Sequence, residues 1–277
     1  SNCAKLSDKV FTALERSRAV IKKLDISHCT SLSAKALTQF MAPLAHLEEL
    51  NINDCTKLDE NSLASMVEFD SLKKLYMKSL GKVSDYGMQS VKGLTHLSLQ
   101  DCFLLTADCL ATLTQTCPDL EELNIAGCQR MSDAIFGLYL EKAFPKLKKL
   151  TVSHFQVNHT KAFADALAAY RQSHPQVLVA EVPDSIIDVL DTVNKWYPAT
   201  IYASTPTECT VHYYGWPTRY NETIPWSSTR LAPVKQHDDR YGSLGPLHTR
   251  DVCSFCPMLH DFCDTLLFEG KRNVFFA

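Results

Sequence analysis

Glycine is scarce in this chain, nine in 277 residues, and that scarcity excludes whole classes of chemistry. Loops that wrap a nucleotide need glycines so that backbone N–H groups can come close to the phosphates. There is no Gly-x-x-x-x-Gly-Lys loop, no Gly-x-Ser-x-Gly elbow and no His-Glu-x-x-His pair. Their absence argues against phosphate-cradling, serine-nucleophile and zinc-protease chemistry. No segment stays apolar for the ~18 residues a membrane span requires, and no secretory leader is legible. Charge of one sign is also missing. With 28 Lys and Arg against 31 Asp and Glu the net charge is -3, and no basic stripe of the kind that dominates phosphate-backbone binding is present. The expectation is a globular, non-enzymatic protein without a catalytic residue, a membrane contact or a nucleic-acid partner.

What the chain does have is a repeated phrase, Leu-x-x-Leu-x-Ile-x-x-Cys, every 22 to 30 residues. It reads Ile21, Leu24, Ile26, Cys29; then Leu47, Leu50, Ile52, Cys55; then Leu72, Leu75, Met77, Leu80. It continues as Leu94, Leu97, Leu99, Cys102; Leu120, Leu123, Ile125, Cys128; and Leu147, Leu150, Val152, Phe155, with a degenerate copy at Val177, Ala180 and Val182. After each phrase comes a second half, such as Leu58 to Met66 or Leu105 to Leu113, whose apolar spacing suits a helix. A fixed period of this length means strand, turn and helix units that stack because none can bury its apolar face alone. Seven of the eleven cysteines lie in this region, four of them one per phrase, so they read as small buried hydrophobes rather than disulfide partners. That usage suits a reducing compartment, cytosol or nucleus.

These phrases resemble cysteine-containing leucine-rich repeats, the kind that follows an F-box in many ubiquitin-ligase receptors. The resemblance covers residues 1–182 and implies an α/β solenoid, with parallel strands on the concave face and helices on the convex face. The opening run Cys3 to Leu14 matches the second half of a repeat, so the chain is expected to begin inside a unit. Strand alternation directs Lys23, Asp25, His28, Glu49, Asn51, Asp54, Lys74, Tyr76 and Lys78 outward, followed by His96, Gln100, Asp101, Glu122, Lys149 and His154. Charges of both signs alternate along this list, which favours a polar protein partner. Tyr76, an aromatic among polar neighbours, is the best single anchor.

Periodicity stops near Pro183. Residues 183–235 break into short β-rich runs separated by Pro, Asn and Gly, as in a small bent barrel. This stretch resembles the chromo-barrel and Tudor-knot family in Val211-His-Tyr213, Gly215-Trp216, Tyr220 and Arg230-Leu231, with Asn221-Glu222-Thr223 where the family has Asp-Glu-Trp. By position, the resemblance implies Tyr197, Tyr213, Trp216 and Tyr220 as an aromatic cage for a methylated lysine peptide, since a quaternary ammonium is held over π faces. The alternative is that Trp196, Trp216 and Tyr220 fill a small core. Four basic against five acidic residues leave this segment near neutral.

Residues 236–277 read as a linker and tail carrying Cys253-x2-Cys256-x3-His260-x2-Cys263, a spacing able to hold structural zinc or to bury its thiols in a tail helix. Taken together, the expectation is a protein-interaction protein, by resemblance the substrate-recognition part of a ubiquitin-ligase assembly. The competing classes are a chromatin-associated methyl-lysine reader and a structural subunit of a large assembly.

Overall fold

The computed structural model describes residues 21–33, 35, 46–64, 66, 69–141, 144–182, 186–213 and 216–232. Seven short strands, β1 (Lys23–Asp25), β2 (Glu49–Asn51), β3 (Lys74–Tyr76), β4 (His96–Ser98), β5 (Glu122–Asn124), β6 (Lys149–Ser153) and β7 (Leu178–Val182), form one parallel sheet in chain order. Each comes from one copy of the phrase. The register places Leu24, Leu50, Leu75, Leu97, Leu123 and Leu150 in a single row. From Leu50 to Leu150 that row is buried, inside one apolar core running from Ile26 to Val177. Each fully buried leucine removes apolar surface worth about 2 kcal/mol from water, so the row holds the copies in register.

The last copy departs from its expected frame: Val179, not Ala180, pairs with Leu150. Val179 has the larger apolar side chain and is the one packed on the core, so burial shifts the frame by one residue.

The strands end in a recurring turn. Asp25, Asn51 and Asn124 each accept, through Oδ1, the N–H two residues on, at 2.9, 3.0 and 3.0 Å. Next, His28, Asp54, Ser79, Asp101 and Gly127 adopt positive φ between 58° and 72°. Asn and Asp tolerate such turns because their side chains bond the local backbone. Gly127 alone has a steric reason, since a Cβ there would lie 2.1 Å from Asp101 Oδ1. In the following slot the thiols act as donors across copies: Cys55 to the Ile26 carbonyl at 3.1 Å, Cys102 to Met77 and Cys128 to Leu99, both at 3.0 Å. Burial pushes the Cys55 and Cys102 thiols up to about 12, so they stay protonated.

The second halves are less uniform than their spacing suggests. Helix α1 (Glu60–Leu63) is one turn, capped by Asp59 and Ser62; α2 (Ala107–Thr116) is a full helix capped by Thr106. Between and after them stand a 3₁₀ turn, Gly87–Ser90, and a π turn, Phe136–Leu140. The shortest link between strands of this sheet, from Tyr76 to His96, holds only the 3₁₀ turn, and Val83, Met88, Ile135 and Leu140 still reach the core. The sixth copy continues into α3 (His154–His159) and α4 (Lys161–Ser173), capped by Ser153 and Thr160. No helix among the described residues is long and apolar enough to cross a membrane.

A second, curled sheet is antiparallel. Its strands are β8 (Ile187–Leu190), β9 (Trp196–Ser204), β10 (Glu208–Tyr213), β11 (Glu222–Pro225) and β12 (Leu231–Ala232), in the order β11-β10-β9-β8-β12. Ile187, Val189, Ala199, Val211, Ile224 and Leu231 make its core with Trp226, whose Nε1 donates to the Thr205 carbonyl at 2.9 Å. Arg230 ties the edge strand β11 to β8 across the sheet: its guanidinium reaches the Leu190 carbonyl on β8 and the Glu222 carboxylate on β11.

The two sheets meet at the fifth and sixth copies. Phe155, standing where earlier copies have a thiol, packs in the core of the curled sheet. Gln129 Nε2 donates to the Ile186 carbonyl at 2.5 Å, and His154 Nδ1 lies 3.2 Å from Ser204 Oγ.

Candidate functional site

The outward residues of the parallel sheet fall into three rows. In the first, Lys23 pairs with Glu49 at 2.9 Å and His96 with Glu122 at 3.5 Å, while Lys74 and Lys149 have no acidic partner among the described residues. In the next, Asp25 and Asn51 hold turns as described, and Tyr76 is half-buried. Tyr76, His96, Glu122 and Lys149 line a shallow depression of about 200 Å³.

The row at the turns differs from its sequence reading. Asp54 and Asp101 are only 8% and 2% exposed. Alternation ends with the strand, so these turn residues do not follow it: both are buried, although His28 with the same positive φ is exposed. Asp54 lies 3.3 Å from exposed His28, and Asp101 lies 3.6 Å from Lys78 and accepts from Gln100 at 3.4 Å. His154 starts α3 and faces the curled sheet through Ser204.

The four aromatic residues singled out in the second segment come together. Tyr197 lies on β9 and Tyr213 ends β10, while Trp216 precedes and Tyr220 ends the 3₁₀ turn Thr218–Tyr220 that returns the chain to β11. Antiparallel pairing brings these chain-distant positions to one end of the sheet. Ring centroids are 6.1 Å apart for Tyr197–Tyr213, 5.4 Å for Tyr197–Trp216 and 5.2 Å for Trp216–Tyr220, with interplanar angles of 85°, 74° and 86°. Near-perpendicular rings form walls rather than a stack. They line an open pocket of about 370 Å³ together with Asp191, Thr192, Val193, Arg219, Asn221 and Glu222. Tyr197 and Tyr213 form its buried base, Trp216 is half-buried, and Tyr220 at the rim is 45% exposed. Of the residues in the core-filling alternative, Trp196 is buried and Trp216 packs half-buried against the core that contains Trp226, whereas Tyr220 stands exposed at the rim.

Charge around the pocket is ordered. Asp191 sits in the turn after β8, and its Oδ1 accepts from the N–H groups of Val193 and Lys195, both at 2.9 Å, which fixes the carboxylate at the wall. Burial, with the Asp191 charge, raises the Tyr197 hydroxyl above the usual phenol range. The Tyr213 hydroxyl is driven up further, by burial first and then by its hydrogen bond to Glu222, to which it donates. Burial alone would raise the Glu222 carboxyl, but hydrogen bonds from Arg230 and Tyr213 hold it below the usual carboxylate range. Glu222 is therefore neutralised by Arg230 and locks the Tyr213 ring, leaving Asp191 as the acid at the wall with no cationic partner among the described residues. Trp216 Nε1 has no hydrogen-bond partner among the described residues.

Sequence reading did not find Asp191, Arg219 or the Glu222–Arg230 clamp. The turn signal Asp191-Thr-Val-Asn-Lys was legible, but not what it would face. The tail residues Cys253, Cys256, His260 and Cys263 lie outside the described residues. Among the described residues no three His, Cys, Asp or Glu side chains converge as a metal ion requires.

No family model matches the chain. It is similar to the DNA repair protein rhp7 of Schizosaccharomyces pombe, at 28% identity over 93 residues, 34% of this chain and 16% of that one. The chain thus spans about a sixth of the length of that relative. Among solved structures it is similar to one described as a complex of Rad7 and Elc1 in yeast, with 17% identity and a TM-score of 0.47 over 54% of this chain and 40% of the other.

Proposed function

We propose that this chain is a non-enzymatic protein-recognition protein whose principal ligand site is the aromatic pocket, and that the pocket takes a methylated lysine side chain of a partner protein. One observation supports this reading above the others: four rings, mostly edge to face, surround an open pocket with a fixed carboxylate at its wall. Methylated ammonium is large, weakly hydrated and cationic. Each well-placed ring contributes about 0.5–2 kcal/mol through its negative face, and the carboxylate adds a long-range attraction. A neutral apolar side chain would leave Asp191 facing it without compensation.

On this reading, residues 183–235 form a chromo-barrel-like module and residues 1–182 a leucine-rich repeat solenoid. The outward rows of the solenoid, with Tyr76 as anchor, bind a second protein surface. Placing the repeats in a ubiquitin-ligase assembly rests on their resemblance to repeats that follow an F-box. The relative rhp7 is described as a DNA repair protein. No cofactor is needed for either binding task.

The test is titration of the whole chain with fluorescent peptides that differ only in carrying unmethylated or trimethylated lysine. Trimethylated peptide is expected to bind at least about tenfold more tightly, and Trp216→Ala to weaken it by about 10- to 100-fold while unfolding near wild type. Equal binding of the two peptides would remove the reading.

A further inference from the structure

We infer that the residue next to the methylated lysine in the bound peptide is anionic, an acidic or phosphorylated side chain, and that Arg219 recognises it; this rests on the reading of the pocket just given. Arg219 stands on the 3₁₀ turn at the rim, exposed, with Cζ 4.9 Å from the centroid of the Tyr220 ring. It also lines the pocket and makes no ion pair among the described residues. The contrast with Arg230 is informative, because that guanidinium is consumed by Glu222 and by the Leu190 carbonyl. A free guanidinium beside a site for a cation repels its own ligand unless the ligand brings a compensating negative charge.

The geometry suits that task. The Arg219 guanidinium over the Tyr220 ring makes no side-chain hydrogen bond among the described residues, and its N–H edge can match a carboxylate or phosphate in bidentate fashion. The stacked side chain has less rotamer freedom to lose when the anion arrives. Asp191 on one wall and Arg219 at the rim thus make the site electrically two-sided, complementary to a cation and an anion carried side by side.

The experiment uses the whole chain and four trimethyl-lysine peptides of otherwise identical sequence, whose flanking residue is alanine, glutamate, phosphoserine or lysine. Glutamate is expected to tighten binding about 3- to 10-fold over alanine at low salt, with phosphoserine at least as tight and lysine weaker. Arg219→Ala should bring all four together, and Arg219→Glu should make the lysine-flanked peptide the best. Arg219 is exposed, so both variants are expected to fold, which tryptophan fluorescence checks. Binding of all four by the wild-type chain within about twofold, or an unchanged preference in Arg219→Ala, overturns the inference and leaves the pocket reading standing. If no methylated peptide binds, the pocket reading itself fails and takes this inference with it.

Discussion

The parallel sheet and the curled sheet solve the same problem in opposite ways. In the first, the same contacts recur between neighbouring copies, so Leu50 meets Leu75, and a thiol reaches the carbonyl at the isoleucine position of the preceding phrase, as Cys102 does with Met77. In the second no position has an equivalent, and the pocket depends on residues from the turn after β8, from β9 and β10, and from the turn leading into β11 arriving together. A periodic structure spreads its stability over many similar interfaces and offers a broad face. An aperiodic one concentrates unlike groups in one place, which is what selective binding of a small group requires.

The chain carries its own probe of this contrast, since Trp196, Trp216 and Trp226 all lie between Ile187 and Ala232. Tryptophan fluorescence therefore follows the curled sheet, while circular dichroism follows both. Leu123→Ala, in the buried row, is expected to cost about 3–5 kcal/mol and to move the circular-dichroism transition in urea much more than the tryptophan transition. Equal shifts would mean that the two regions unfold as one.

Phe155→Ala sharpens the contrast, because this side chain belongs by sequence to the repeats and by packing to the curled sheet. Its loss, about 3 kcal/mol, is expected to appear in the tryptophan transition. Gly127→Ala combines positive φ with a clash against Asp101 and is expected to cost roughly 2 kcal/mol, visible only in the repeat transition.

Glu222→Gln is the smallest effect, about 1–2 kcal/mol, and belongs to the curled sheet. Because the folded Glu222 carboxyl lies below its usual range, its contribution is present above the ordinary value of about 4.3 and is lost as pH falls through the folded value. The wild-type tryptophan transition should therefore lose stability more steeply than that of Glu222→Gln on acidification below about pH 4.3. Parallel curves would show that the Arg230 clamp does not bear on the pocket's frame.

How much of this was legible in the sequence differs between the two regions. The strand positions of six copies could be read because one period, repeated, averages out local ambiguity. The seventh slipped by a residue where the pattern weakened, and among the described second halves one is a single helical turn, one a 3₁₀ turn and one a π turn. Asp54 and Asp101 were misread as outward because strand alternation was extended into a turn whose φ is positive. In the curled sheet the four rings could be named, through a family resemblance in Tyr213, Trp216 and Tyr220. The charges that give the pocket its two sides could not.

Composition and period by themselves determined the stacked parallel strands, the buried leucine row and the burial of the thiols, because each follows from local spacing and the need to hide apolar surface. Tertiary structure alone decided that Asp191 faces the rings of Tyr197 and Trp216, that Arg230 neutralises Glu222, and that Arg219 is left over at the rim. Those relations join residues far apart in the chain. Electrostatic meaning depends on distance and burial, which no spacing along a sequence encodes.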